Sequence, residues 1–413
     1  MIDVREPVWI VAVLLAIEGA VLYAAELPPL RRVFRYVPPM FWIYFLPMLA
    51  NTVGLIPPET GAARQVVTPV YGIVTAYGLP ACLILLLLNV DLRAIRRLGP
   101  VALGMMLAGA LGIIVGGPVV LLAFGRWLPK DAWTGIGALS ASWMGGSANM
   151  IAVFESIKTP LDVRGTMIVV DTIVPYAWMG LLIVLSARQE AFDRWNRSKA
   201  GVLDDLKRRA ASEGPQTTHP ITLRHVVLMF AVAAAGTWAA GHAGSAAAGW
   251  LRETVGARWP RAADFVSAAT LTILLATTLG VGLSFTPVRR LERFGASTVG
   301  YGMLYFVLAS IGAKTSLGHL GRAPMMIVAG FVWVVIHAGF LLAAARLLRA
   351  PMALAATASQ ANIGGTASAP VVAEVYQSGL AAVGLLLAVL GNILGTYLGL
   401  LCAALCRLVA AGG

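Results

Sequence analysis

Apolar residues gather along the chain in long blocks, separated by short clusters of Pro, Gly and Arg. The blocks cover about 8–25, 38–56, 68–88, 99–124, 133–156, 165–186, 224–250, 264–285, 298–316, 323–346, 352–376 and 380–407. Each is long enough for an α-helix to cross the ~30 Å hydrocarbon core of a bilayer. The pattern predicts an all-α polytopic membrane protein of about twelve transmembrane helices. One long polar stretch, 187–221, interrupts it, with seven Lys or Arg and five Asp or Glu. It reads as a linker, with room for a short helix, between a first membrane repeat at 1–186 and a second at 222–413. The first block follows Asp3 and Glu6 without a small-residue cleavage pattern, so it reads as a retained helix rather than a signal peptide.

Composition supports the same class. Hydrophobic residues make up 59% of 413 positions and charged residues only 12%. A soluble domain cannot hide that much apolar surface, because much of its chain must face water. This excludes an ordinary soluble enzyme, a disordered protein and a small secreted scaffold. The net charge is +12, and the basic residues sit in the breaks between blocks, as in Arg31, Arg32, Arg35 and Arg93, Arg96, Arg97. Charge placed there orients helices against a membrane; it leaves no basic face for nucleic acid. The expected location is the cell (inner) membrane, multi-pass, with the bilayer and a small-molecule solute as partners and no nucleic acid. Cys82, Cys402 and Cys406 lie in apolar blocks without nearby His, which favours packing over metal or disulfide.

The two halves resemble each other. Ser140-Ala-Ser-Trp-Met-Gly-Gly-Ser-Ala-Asn149 returns as Ser359-Gln-Ala-Asn-Ile-Gly-Gly-Thr-Ala-Ser368, an offset of 219. That offset pairs Gly145 with Gly364, Gly146 with Gly365, Ser147 with Thr366 and Glu155 with Glu374. Leu49-Ala-Asn-Thr-Val-Gly54 also matches Leu275-Ala-Thr-Thr-Leu-Gly280 in the same order. Repeat orientation has two readings. Six blocks in each half would make the repeats parallel. The Arg clusters instead fall in loops of opposite parity, at 26–37 and 91–98 against 286–297 and 346–351, which inverted repeats require. The inverted reading is favoured; it needs one block that does not cross fully, or one extra segment near the linker.

The glycine pairs are the sharpest chemical feature. Each falls mid-block, where glycine weakens a helix by about 1 kcal/mol relative to Ala. A helix broken in hydrocarbon must satisfy the N–H and C=O groups it frees, so such breaks belong inside protein or beside a wet cavity. Half-helix N-termini there attract anions, and free carbonyls and hydroxyls bind Na⁺. The candidate ion- and substrate-binding residues are Ser140, Ser142, Gly145, Gly146, Ser147 and Asn149 in the first half. Ser359, Gln360, Asn362, Gly364, Gly365, Thr366 and Ser368 are their counterparts in the second. Close helix packing through small residues is the competing reading, and any one of these hydroxyls can instead bond its own backbone.

Asp171 lies inside the block at 165–186, where a charge is costly unless paired or facing water. It is either a proton- or cation-binding carboxylate or a satisfied structural acid. Asn392 holds a similar place in the second half, with one gap. Asp171, Asn149, Ser147 and Thr366 are the candidate Na⁺ ligands. Glu155 and Glu374 follow the glycine pairs and either line an access path or sit at an interface. Glu18 and His337 read as partnered structural residues. Asn51–Thr52 and Thr277–Thr278 either oppose the breaks or pack between helices. Lys314 reads as snorkelling to headgroups, and Asp91 as paired with Arg93 or a helix end. No phosphate-cradling loop, no His-Glu-x-x-His site and no Gly-x-Ser-x-Gly elbow occurs. The chain reads as no enzyme, with no catalytic residues and no cofactor beyond Na⁺ or H⁺ as coupling ion.

Ser142-Trp-Met-Gly-Gly-Ser-Ala-Asn149, Asp171-Thr-Ile-Val-Pro-Tyr176 and Ser359-Gln-Ala-Asn-Ile-Gly-Gly-Thr-Ala-Ser-Ala-Pro370 together resemble the "domain of unknown function 819" family over nearly the whole chain. That family looks like a branch of the superfamily of cation/proton antiporters and bile-acid sodium symporters. The resemblance implies inverted repeats, two broken helices crossing at the membrane centre, and an elevator-like motion of a core against a panel domain. The crossing pair would be 133–156 and 352–376, and a homodimer follows by the same analogy. Val170 stands before Asp171, so the paired acidic motif of electrogenic proton antiporters is absent. The favoured function is therefore an ion-coupled secondary transporter of a small polar, anionic solute. A cation/proton antiporter is the alternative, and a passive channel the further one.

Overall fold

A computed structural model of the protein describes residues 6–57, 64–199, 201–211, 219–254, 267–315 and 323–412. Among these residues all regular structure is helical. In chain order the helices are α1 (Pro7–Glu26), α2 (Arg31–Tyr36), α3 (Pro39–Thr52), α4 (Arg64–Ile73), α5 (Leu79–Leu87), α6 (Leu92–Arg97), α7 (Gly99–Phe124), α8 (Ala132–Gly145), α9 (Ser147–Ser156) and α10 (Leu161–Leu185). They continue with α11 (Gln189–Asn196), α12 (Val202–Ala211), α13 (Leu223–Thr254), α14 (Ala268–Leu283), α15 (Ala296–Ala313), α16 (Ala323–Leu348), α17 (Met352–Ile363), α18 (Gly365–Tyr376) and α19 (Ala381–Gly412).

Within the described residues all twelve apolar blocks contribute helix. Among the described residues, eight helices are long and apolar enough to cross a membrane: Pro7–Glu26, Thr68–Leu87, Gly99–Trp127, Leu161–Asn196, Leu223–Thr254, Ala296–Ala313, Pro324–Leu348 and Ala381–Ala411. A ninth counts only if α14 is joined to the 3₁₀ stretch Pro287–Phe294, across a 91° bend. The other four blocks have identifiable reasons for falling short. The block at 38–56 makes a helix of 14 residues and that at 264–285 one of 16. The blocks at 133–156 and 352–376 break at their glycine pairs into helices of 14 and 10 residues and of 12 and 12.

The helices pack into two compact units that cut across the sequence halves. The first comprises 1–89, 155–172 and 219–323. One part of its core joins α1, α3 and α15 through Ile10, Leu14, Ile43 and Ala309. Another joins α5 and α13 through Ala81, Leu85, Met229 and Ala233. The α9–α10 turn is pinned within this unit. Glu155 pairs with the nearly buried Arg164, whose Nε also donates to the Thr159 carbonyl at 2.7 Å. The Ser156 carbonyl accepts from Thr270 Oγ1 at 3.0 Å, beside the Ser267 cap that starts α14. Thr52, Thr277 and Thr278 bond the carbonyls four residues back on their own helices. Glu18 is buried on α1, and its Oε2 has no hydrogen-bond partner among the described residues.

The second unit comprises 90–154, 173–218 and 324–413. Its central contact sets α19 against α8. Gly391, Gly395, Gly399 and Ala403 recur every fourth residue and so share one face of α19. A Cβ on Gly391 would come within 2.1 Å of the Met144 carbonyl oxygen, and one on Gly399 within 2.4 Å of the Ala141 Cβ. Only glycine allows the two backbones this close, the usual means of joining helices where lipid removes the hydrophobic drive. The described part of the polar stretch after α10 packs within this unit. Leu206 and Ala210 of α12 are buried in this unit's core. Asp193 of α11 accepts the Met352 backbone N–H at 2.8 Å, satisfying a free donor at the start of α17. Asn196 is fully buried and donates to the Ala345 and Ala350 carbonyls at 3.1 and 2.8 Å.

Gly391→Val should lower the melting temperature of the detergent-purified protein sharply, a loss of about 1–3 kcal/mol from overpacking. Gly180→Ala on α10, where an added Cβ meets nothing within 4 Å, should leave it unchanged or raise it by the helix-propensity gain of about 0.5–1 kcal/mol. Equal effects would contradict the α8–α19 contact.

Candidate functional site

The two breaks lie in the second unit and turn on equivalent residues. Gly146, between α8 and α9, has φ +80°, and Gly365, the first residue of α18, has φ +65°. These are the second glycines of the two pairs, related by the repeat offset. A side chain at either position would strain the backbone in the left-handed region. The residues just past each turn are only half-buried at Ser147 and Thr366, whereas Ser140, Ser142, Ser359, Gln360 and Asn362 before it are buried.

The first break is closed by Asn149. Its Nδ2 donates to the Gly145 carbonyl at 2.5 Å and to the Asn392 carbonyl at 3.3 Å. Its Oδ1 accepts from the Thr396 hydroxyl. One carboxamide thus replaces helix hydrogen bonds lost at Gly146 and ties the break to α19. Ser140 is turned onto its own helix, donating to the Gly137 carbonyl at 2.6 Å. Asn392 contributes its backbone carbonyl to this arrangement.

The second break is bridged differently. Gln360 in the last turn of α17 donates from Nε2 to Ser368 Oγ in the first turns of α18 at 2.8 Å. Asn362 donates to the Met106 and Ala358 carbonyls at 3.1 and 3.0 Å. Both amides keep one carbonyl oxygen, Gln360 Oε1 and Asn362 Oδ1, buried and, among the described residues, without a hydrogen-bond partner. A buried acceptor left alone is costly, and a water, a cation or a ligand donor would satisfy it.

Behind the second break runs a chain of polar contacts. Trp178 Nε1 donates to Ser359 Oγ at 2.9 Å, Ser359 meets His337 Nε2 at 3.0 Å, and His337 Nδ1 meets the Gly109 carbonyl at 2.9 Å. A carbonyl only accepts, so Nδ1 carries the ring proton, and the Ser359 hydroxyl donates to Nε2. His337 is thereby a partnered structural residue, as its isolated position in an apolar block suggests.

The structure therefore gathers most of the sequence candidates in one unit and leaves one outside. Asp171 is half-buried on α10, and it packs with the first unit. The four candidate Na⁺ ligands are thus divided: Asn149, Ser147 and Thr366 belong to the second unit and Asp171 to the first. Among the described residues, no three His, Cys, Asp or Glu side chains cluster as metal ligands would. Glu374 bonds the turn after α18, accepting from the Gly379 N–H and the Ser378 hydroxyl at 3.0 Å each. Asp91 caps α6, accepting from the Arg93 and Ala94 N–H groups at 3.0 Å. Lys314 sits 5.3 Å from the Tyr71 ring centroid. Sequence reasoning missed Thr396 and Trp178. Thr396 follows Asn392 by four residues on a glycine-rich helix face, a polar pair that could have marked it; nothing local marks Trp178.

Asn149→Ala and Thr396→Val should each destabilise the protein by about 1–3 kcal/mol, by removing a buried partner. Combined, they should show a coupling of about 0.5 kcal/mol or more in a double-mutant cycle on melting data. Strict additivity would contradict the contact that seals the first break.

Comparison with known proteins agrees with this architecture as far as it reaches. A relative in Bacillus subtilis (strain 168), the "Uncharacterized membrane protein YjcL", is 24% identical over 366 residues, covering 85% of each chain. The family model described as "Protein of unknown function (DUF819)" matches residues 12–409. With nearly the whole chain matched, and with its array of membrane-length helices, this multi-pass membrane protein belongs to the DUF819 family.

Proposed function

We propose that the chain is an ion-coupled secondary transporter for a small polar, anionic solute, working by an elevator-like alternation of access. The observation that carries this reading is the pair of helix breaks at repeat-related glycines, Gly146 and Gly365, within one packed unit. Broken helices at membrane depth place N–H donors and carbonyl acceptors where a continuous helix offers none. The first-turn N–H groups of α9 and α18 suit an anionic group. The unpaired oxygens of Gln360 and Asn362 suit a cation, Na⁺ being the first to test. The inverted-repeat arrangement, the kinship with cation/proton antiporters and bile-acid sodium symporters, a count of spans nearer twelve and a homodimer belong to this same proposal. Cation/proton antiport is the second reading, favoured by Asp171 midway along a membrane-length helix. A passive channel remains the contrast case for flux measurements. Carrier flux saturates, whereas a channel passes an ohmic current.

The test is the melting temperature of the detergent-purified protein in NaCl against equal choline chloride from pH 5 to 9. A ligand that binds only the folded state must stabilise it, by ~2.7 kcal/mol at a hundredfold excess over Kd. Sodium should raise the midpoint, and Gln360→Leu should abolish the rise. Asp171→Asn, run in parallel, decides whether the carboxylate shares that site. No sodium response at any pH would remove sodium as the coupling ion. Absence of saturable, gradient-driven uptake in proteoliposomes as well would remove the transporter reading.

A further inference from the structure

One end of the second unit concentrates positive charge on a fixed frame. Arg96 and Arg97 are exposed at the end of α6, and Arg209 of α12 donates from Nη1 to the Arg97 carbonyl at 3.2 Å. Arg346 and Arg349 are exposed where α16 ends. Arg346 Nη1 donates to the Trp195 carbonyl at 2.9 Å, and its guanidinium lies 5.1 Å from the Trp195 ring centroid. The Lys199 N–H donates to the Arg349 carbonyl at 3.1 Å. These bonds tie α12 to α6, and α11 and Lys199 to the end of α16; Leu98, Leu206, Ala345 and Ala350 beneath them share one buried cluster, and the arginines face outward.

The acids nearby are spoken for. Glu190, Asp204 and Asp205 pair with Arg194, Lys207 and Arg208 on their own helices. Asp193 is occupied by the Met352 N–H and the Ser198 hydroxyl, and Asp91 caps α6. Among the described residues no carboxylate forms an ion pair with Arg96, Arg346 or Arg349. Like charges gathered this way repel unless an outside anion answers them.

The depth of the patch says which anion. It lies where the membrane-length helix α7 begins, α16 ends and α19 begins. Such helix ends sit at the headgroup level. Trp195 is 60% exposed and Leu347 84%, apolar side chains set among the arginines. Arginine beside exposed Trp and Leu is the composition of a surface that enters the headgroup layer. We propose that this end of the second unit is a binding platform for anionic phospholipid headgroups, with Arg96, Arg346 and Arg349 meeting lipid phosphates and Trp195 and Leu347 lying among the acyl-chain ends.

The full-length protein would be melted in mixed micelles containing phosphatidylglycerol or phosphatidylcholine, at about 0.05 and about 0.5 M NaCl, a range over which the Debye length falls several-fold. Phosphatidylglycerol should raise the midpoint by roughly 3 °C more than phosphatidylcholine at low salt. High salt should cut that difference at least in half. The triple variant Arg96→Gln, Arg346→Gln, Arg349→Gln should melt alike in both lipids. Inorganic phosphate without anionic lipid should give no rise. Equal shifts in the two lipids, a difference that survives salt or the triple variant, or a rise with inorganic phosphate alone would each overturn the platform. If the triple variant does not fold, the salt dependence of the unaltered protein decides. None of these readings depends on transport, so the two proposals fail separately.

Discussion

A backbone N–H or C=O in hydrocarbon has no water to turn to, and this one constraint organises the second unit. Breaking a helix at Gly146 or Gly365 frees such groups in the middle of an apolar block. The first break survives because Asn149 reaches back to the Gly145 carbonyl and across to α19. That reach requires α19 to lie almost backbone to backbone with α8, and so Gly391, Gly395 and Gly399 line the facing stripe. Replace the glycines and the helices separate; separate the helices and the asparagine loses its partners. The break, the cap and the stripe are one arrangement distributed over some 250 residues of chain.

The two breaks answer the same demand unequally. The first is sealed by a side chain whose donor and acceptor are both used. The second is spanned by Gln360 and flanked by Asn362, each keeping a buried carbonyl oxygen without a partner among the described residues. The sequence repeat is thus completed by different side-chain bonds at its two breaks: Asn149 with Thr396 at the first, Gln360 with Ser368 at the second.

Much of this was legible in the sequence because apolar block length and mid-block glycine pairs are local signals. All twelve blocks are helical, and both second glycines take up the left-handed turn. The buried hydroxyls and amides at Ser359, Gln360 and Asn362 stand beside the second break as expected. What stayed hidden was neighbourhood. Blocks apolar on every face carry no stripe to show which helix meets which. Nothing in the chain announces that Thr396 meets Asn149, or that Asp171 packs with the first unit while Ile173, two residues on, packs with the second. The contacts of the polar stretch after α10 are of the same long-range kind. Asp193 bonds the start of α17, Asn196 the Ala345 carbonyl, and Leu206 is buried in the core.

The interleaving of the two units bears on how the chain is made. Neither unit can be completed from a contiguous stretch, because α5 closes against α13 and α8 closes against α19. A ribosome feeding the bilayer from the N-terminus delivers α8 long before its glycine-lined partner exists. Until α19 arrives, Asn149 has its local bond to the Gly145 carbonyl but neither the Asn392 carbonyl nor the Thr396 hydroxyl. Contacts of such sequence separation form late and slowly. Among the described helices α19 is thus the partner whose arrival completes the first break, and a chain without it would leave Asn149 without its Asn392 and Thr396 contacts.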